Sequence, residues 1–224
     1  MRYITKNQQT EEYCKPFVMK WLADIIGDRY YNPISVPNYD PSLKGDTNND
    51  IYKFLQTGHV DIIVDYGARK PAYIDFKGTY GLGNFEGYYK LTMELYCRES
   101  WEGQEIYHES YPFLSNKFPA NTQYLLYASK EIMILIPKEQ LNKVILSDRY
   151  KSKFDVSNIE WKLNKSDNNR GKYVKNIYFS LLNKYDLEIL EIANTHFYRL
   201  INGKYAKISR ADLIRYIKEV QNNR

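Results

Sequence analysis

The chain is poor in cysteine, with only Cys14 and Cys97 among 224 residues. That excludes a disulfide framework, and no Cys/His spacing suits a zinc site. No apolar run approaches the ~18–20 residues needed to span a membrane. The first residues, MRYITKNQQTEEY, are polar, so a signal peptide is not expected. No Gly-Lys-Ser/Thr follows the glycines at 78, 81 and 83, which excludes a nucleotide-hydrolase phosphate loop. Internal repeats and low-complexity tracts are missing as well. These absences lead to the expectation of a reducing, cytoplasmic setting with no membrane partner.

What is present is ordinary in bulk and uneven in distribution. The hydrophobic fraction is 43% and the charged fraction 26%, typical of a chain that buries a core. The length suits one large domain, or a domain with an appendage. Residues 1–150 hold 17 Lys+Arg against 19 Asp+Glu, and residues 151–224 hold 15 against 8. All of the basic excess therefore lies in the C-terminal third. A basic region beside an acidic one suits a polyanionic substrate, although a lysine-rich wet surface has the same composition. The shift in charge near residue 147 is the best candidate boundary, dividing 1–147 from 148–224.

Hydrophobic periodicity predicts a helix over 10–26, with Phe17, Val18, Trp21, Leu22, Ile25 and Ile26 on one side and Thr10 as N-cap. Residues 31–50 carry three prolines and read as a loop. Strands are expected at roughly 59–66, 72–80, 88–97, 123–128 and 131–137, with a short strand-like piece at 159–163. Helices are expected from 138, over 177–193 and over 210–220. Residues 98–121 read as a long irregular connection.

The chemistry centres on HVDIIVDYGARKPAYIDFKGTYG, residues 59–81. Two apolar strands joined by a turn at Gly67-Ala68-Arg69 would set Asp61 opposite Asp75. Asp75 and Lys77 are two apart and so share one face. Directly opposed residues have Cβ atoms roughly 4.5–5.5 Å apart, where like charges repel. Two carboxylates and a lysine held so close make sense around a hard divalent cation, since Mg²⁺ is commonly held by one or two carboxylates. A plain Asp–Lys ion pair is the competing reading. A second acid–base set, Asp148, Glu160 and Lys162, lies in polar sequence and reads as a solvent-facing strand. Asp61 and Asp75 instead interrupt apolar runs, where an unpartnered charge is costly.

An acid, then Asp-x-Lys on the next strand, with a glutamate-bearing helix upstream, resembles the PD-(D/E)XK nuclease superfamily. The resemblance covers roughly residues 10–137, and Val60 stands where the motif's proline would be. It implies an α/β fold with a restriction endonuclease-like core: a central mixed β-sheet flanked by helices, here followed by a basic, mainly helical C-terminal part packed on it. It further implies a Mg²⁺- or Mn²⁺-dependent nuclease that hydrolyses phosphodiester bonds, most naturally an endonuclease acting on DNA. Asp61, Asp75, the Phe76 carbonyl and Glu12 would hold the metal, with Glu11, His59 or Glu94 as alternatives for the last place. Lys77 would position or help deprotonate the attacking water. A catalytically inactive nucleic-acid-binding protein of the same fold and an RNA endonuclease remain open alternatives, as does a homodimer that cuts two strands. Thr79 and Tyr80 are candidate phosphate contacts, as are Lys172, Lys175, Lys204, Lys207, Arg210 and Arg215 in the basic third. Trp101, Tyr107 and Tyr111 could stack on bases.

Overall fold

The computed structural model describes residues 6–26, 32–37, 40–57, 60–65, 70–78, 89–101, 104–108, 122–163 and 173–222. The first helix, α1 (Lys6–Ile26), buries Cys14, Val18, Trp21 and Leu22, the one-sided stripe that helical spacing predicts. It starts before Thr10 and accommodates Pro16 in its interior, so Thr10 is not its N-cap. The proline-rich stretch after it is more ordered than its composition suggests. It forms strand β1 (Asn32–Ser35), a 3-10 turn at Pro41–Leu43 and helix α2 (Thr47–Thr57). Pro33 is tolerated because β1 is the outermost strand of its sheet. Asn49 holds the turn to α2: its amide donates to the Asp40 and Leu43 carbonyls, and its Oδ1 accepts the Asp40 N–H.

Strands β2 (Ile62–Asp65) and β3 (Ala72–Gly78) form the expected antiparallel pair, and residues 66–69, which include its turn, lie outside the described residues. β6 (Tyr124–Ala128) runs parallel to β3, and β7 (Ile132–Pro137) returns antiparallel to β6. With β10 (His196–Ile201) and β11 (Lys204–Ile208) these make a seven-stranded mixed sheet in the order β1-β2-β3-β6-β7-β10-β11. Asn202 and Gly203, both at positive φ, close the hairpin between the last two strands as a two-residue turn of the hairpin-favoured hand.

Residues 90–108 do not extend this sheet. β4 (Lys90–Trp101) and β5 (Gln104–His108) pair with each other, and β4 pairs with β9 (Tyr173–Ser180) in a second sheet of order β5-β4-β9-β8, where β8 is Lys162–Leu163. The segment read as one helix over 177–193 is therefore a strand end followed by α5 (Lys184–Ile192), which Asn183 caps through the N–H groups of Tyr185 and Asp186. The C-terminal third is not mainly helical. It holds α4 (Lys151–Phe154), α5 and α6 (Arg210–Asn222), but also four strands that enter both sheets. β9 pairs with β4 and β10 with β7, so pairing crosses the charge boundary at residue 147 twice.

The core divides by sheet face. On one face of the large sheet α1 packs over Ile62, Ile74, Phe76 and Leu126. On the other, Leu125, Tyr127, Ile134 and Ile136 meet Leu91, Met93, Ile177 and Phe179 of the small sheet, with α3 (Lys138–Ile145), α5 and α6 closing the layer. The Tyr127 hydroxyl ties the two sheets by donating to the Thr92 carbonyl at 2.6 Å. α2 covers Ile63 and Tyr73 beside Val36 and Val60. The result is a mixed α/β architecture with helices on both faces of a mixed sheet. Among the described residues no helix is long and apolar enough to cross a membrane.

Candidate functional site

The site is built by the register of β2 and β3. Ile62 pairs with Ile74 and Val64 with Ala72, which brings Asp61, just past the end of β2, beside Asp75. The Asp61 N–H donates to the Ile74 carbonyl at 3.0 Å, one residue out of the β2–β3 register, so the pairing turns irregular at Asp61. Ile74 and Phe76 turn to the α1 face, which leaves Asp75 and Lys77 on the opposite one. Asp75 is fully buried and Lys77 partly exposed, with 2.8 Å between the ammonium and Asp75 Oδ1. Asp61 Oδ2 accepts the Phe76 N–H at 2.8 Å, so that amide is already used by one of the two acids.

The charges here do not cancel. Burial pushes the Asp61 carboxyl up to about 7; Lys77 and the Phe76 amide oppose the rise, and Asp75 and Glu11 add to it. Burial also raises Glu11, again with Lys77 opposing and Asp75 reinforcing. Lys77 would be lowered by burial alone, but Asp75, Asp61 and Glu11 together outweigh that and raise it. Three carboxylates thus share the partly exposed Lys77 ammonium. Glu11, not Glu12, is the glutamate of α1 that the cluster feels. Helical geometry separates consecutive residues by about 100°, and Glu12 falls on the exposed side.

A fourth element joins them. Asp75, Leu125 and Ile136 form one row across β3, β6 and β7, and Lys138 follows two residues after Ile136 on that same face. Lys138 is only 8% exposed. Burial lowers its pKa, and the charge of Asp75 pulls the other way. Sequence reading passed over it as the first residue of a helix. The available signal was a lysine placed directly after the apolar run Ile132–Pro137, where the chain leaves the sheet.

Thr79, Tyr80, Lys172, His59 and Tyr111 lie outside the described residues. Glu94 pairs with Asn176 in the small sheet. Trp101 and Tyr107 belong to strands β4 and β5 of that sheet. Lys204 and Lys207 stand on β11, four strands from β3 and so roughly 19 Å away. Arg210 pairs with Glu191 at 2.9 Å, and Arg215 with Asp212. Lys175 lies 5.1 Å from the centre of the Trp161 ring, while Lys90 and Lys162 both approach the Tyr178 ring, at 5.7 and 5.0 Å. The competing set at Asp148, Glu160 and Lys162 stays on the surface, with Asp148 bound to Lys151.

Among the described residues no three Asp, Glu, His or Cys side chains come together as a ready metal cage. Asp61 and Asp75 fit a different kind of site: an open one, where two carboxylates hold a largely hydrated Mg²⁺. The raised Asp61 carboxyl is the observation that supports this fit, because a divalent cation would supply the missing positive charge. Comparison with known proteins adds nothing to this geometry: no family model, no curated protein and no solved structure matches the chain.

Proposed function

We propose that this chain is a Mg²⁺- or Mn²⁺-dependent phosphodiester hydrolase, a nuclease acting on DNA, with a restriction endonuclease-like core formed by α1, β2, β3 and β6. The observation that carries the reading is the excess of carboxylate at Asp61, Asp75 and Glu11 around Lys77, on the paired strands β2 and β3. Asp61 and Asp75 hold the metal, and Glu11 acts on it from α1 in place of Glu12. When bound, the ion lowers the pKa of a coordinated water and stabilises charge on the leaving oxygen. Lys77 orients that water and stabilises the negative charge developing on the phosphate. Its raised pKa keeps it protonated, so it serves as an electrostatic and positioning group rather than a base.

DNA is the favoured polymer because the basic excess lies in the C-terminal third and because lysines and aromatic rings meet at Tyr178 of the small sheet and at Trp161 just before β8. A second reading has its own support. The 2.8 Å contact between Lys77 and Asp75 is an ion pair that forms without a metal, which suits an inactive nucleic-acid-binding protein. Incubating the purified protein with plasmid, single strands and RNA, each with Mg²⁺, Mn²⁺ or chelator, separates the two. The nuclease reading expects metal-dependent cleavage that Asp75→Ala abolishes while circular dichroism still shows a folded chain. Cleavage of none of these by the wild type defeats it, and retained affinity for nucleic acid then favours the binder.

A further inference from the structure

The small sheet has two unlike faces. Leu91 and Met93 of β4 and Ile177 and Phe179 of β9 turn inward to the core. Side chains alternate along a strand, so Tyr178, between Ile177 and Phe179, points to the other face. Lys90, next to Leu91, shares that face, and the register sets it diagonally from Tyr178, opposite Ser180. Lys162 reaches the same ring from β8, on the far side of β9. The two ammonium groups lie 5.7 and 5.0 Å from the ring centre. Lys162 is exposed, and Lys90 and Tyr178 are partly exposed, so the ring and both charges are open to solvent. Two ammonium groups gathered around one ring repel each other, and a ring contact at an exposed site holds each only weakly. A nucleic-acid base stacked on the same ring is held more firmly.

We propose that Tyr178, Lys90 and Lys162 form a platform for single-stranded DNA on the outer face of the small sheet. An unpaired base stacks on the Tyr178 ring, and the two lysines it displaces meet the flanking phosphates. The lysines come from the strands on either side of β9, which suits the phosphates on either side of one base. A single strand is favoured over duplex because only an unpaired base offers its flat face to a ring. The platform deepens the nuclease reading by naming the strand form of the substrate, and it rests on that reading for any link to cleavage. Its test is binding alone.

The experiment titrates the full chain, in chelator, against a fluorescein-labelled oligothymidylate of roughly 15 nucleotides and reads anisotropy across a salt series. The wild type is expected to bind. Tyr178→Ala should weaken binding at least about fivefold, and Tyr178→Phe, which keeps the ring, should stay within about twofold. Replacing Lys90 and Lys162 together with Gln should make the slope of log affinity against log salt shallower by about 1.4, or about 0.7 for each lost phosphate contact. The same loss of charge at Lys204 and Lys207, on the other sheet, should leave affinity within about twofold. Binding to a duplex of equal length should be indifferent to Tyr178→Ala. No binding by the wild type, an unchanged salt slope in the Lys90/Lys162 variant, equal weakening by the two lysine pairs, or a folded Tyr178→Ala that binds as the wild type does each overturns the platform. Equal losses on single strand and duplex overturn it as well. The lysine variants keep the test decisive where circular dichroism shows Tyr178→Ala unfolded. A wild type that binds the single strand through Tyr178 but cleaves no nucleic acid defeats the nuclease reading and leaves the platform standing. Cleavage without Tyr178-dependent binding does the reverse.

Discussion

Asp61 carries the clearest consequence for a single residue. Its folded-state pKa of about 7 lies above the ordinary 3.8, so the folded chain holds this proton more tightly than the unfolded one. The folded state is then favoured most at low pH, and without divalent ions stability should fall as pH rises from about 4 to about 7. Asp61→Asn keeps an oxygen to accept the Phe76 N–H and removes the charge. It is expected to flatten this pH dependence and to raise stability at pH 8 by about 1–2 kcal/mol, a value reduced because Asp61 keeps some contact with water. Thermal melts across pH in chelator check both effects, and the same variant should lose metal-dependent cleavage. The two neighbouring glutamates separate cleanly. Glu11→Gln should weaken Mn²⁺ binding, measured calorimetrically, whereas Glu12→Gln should leave it within experimental scatter, because Glu12 faces solvent.

At the scale of elements, α1 positions Glu11 through one large anchor. Trp21 is 1% exposed and meets Tyr198 of β10 edge to face, with ring centroids 5.0 Å apart. Trp21→Ala should destabilise the fold by about 3–5 kcal/mol in a denaturant titration and loosen the helix that carries the glutamate. How far the elements were legible depended on what selects them. The acids and the lysine could be read because they interrupt apolar runs at two-residue spacing, and α1, β6, β7, α3 and α6 because their periodicity is local. The destination of residues 90–101 could not be read, since alternation marks a strand but not its partner, and that partner lies some eighty residues away in β9. Ile177, Phe179, Leu181, Leu187 and Leu190 blur into one helical pattern; the break comes from Asn183, which caps α5 through a local side-chain bond. Lys138 was missed because its burial is decided by packing distant in sequence, such as Asp75 of β3, not by its neighbours in the chain. Choosing Glu11 over Glu12 needed the helix phase, which a stripe as broad as that of α1 does not fix to one residue.

For the whole molecule, both sheets are completed from the C-terminal third. Phe179, Leu187, Leu190, Phe197, Leu213 and Ile217, all past residue 147, are buried in the core beneath β6 and β7. A fragment ending at residue 147 should therefore show no cooperative thermal transition, despite containing Asp61, Asp75, Lys77 and Lys138. The basic excess and the acids are then parts of one folding unit, not a catalytic piece with a detachable arm. Among the described residues the large sheet ends at β1 on one side and β11 on the other. An edge strand is a place where a stray chain could add a strand. Pro33 withdraws a donor from one rim, and Lys204 and Lys207 of KYAKI, three apart and so on opposite faces, charge the other. Lysines too remote from the carboxylates to hold the substrate thereby acquire a use as guards against self-association, and replacing both with valine should turn a clear concentrated solution cloudy.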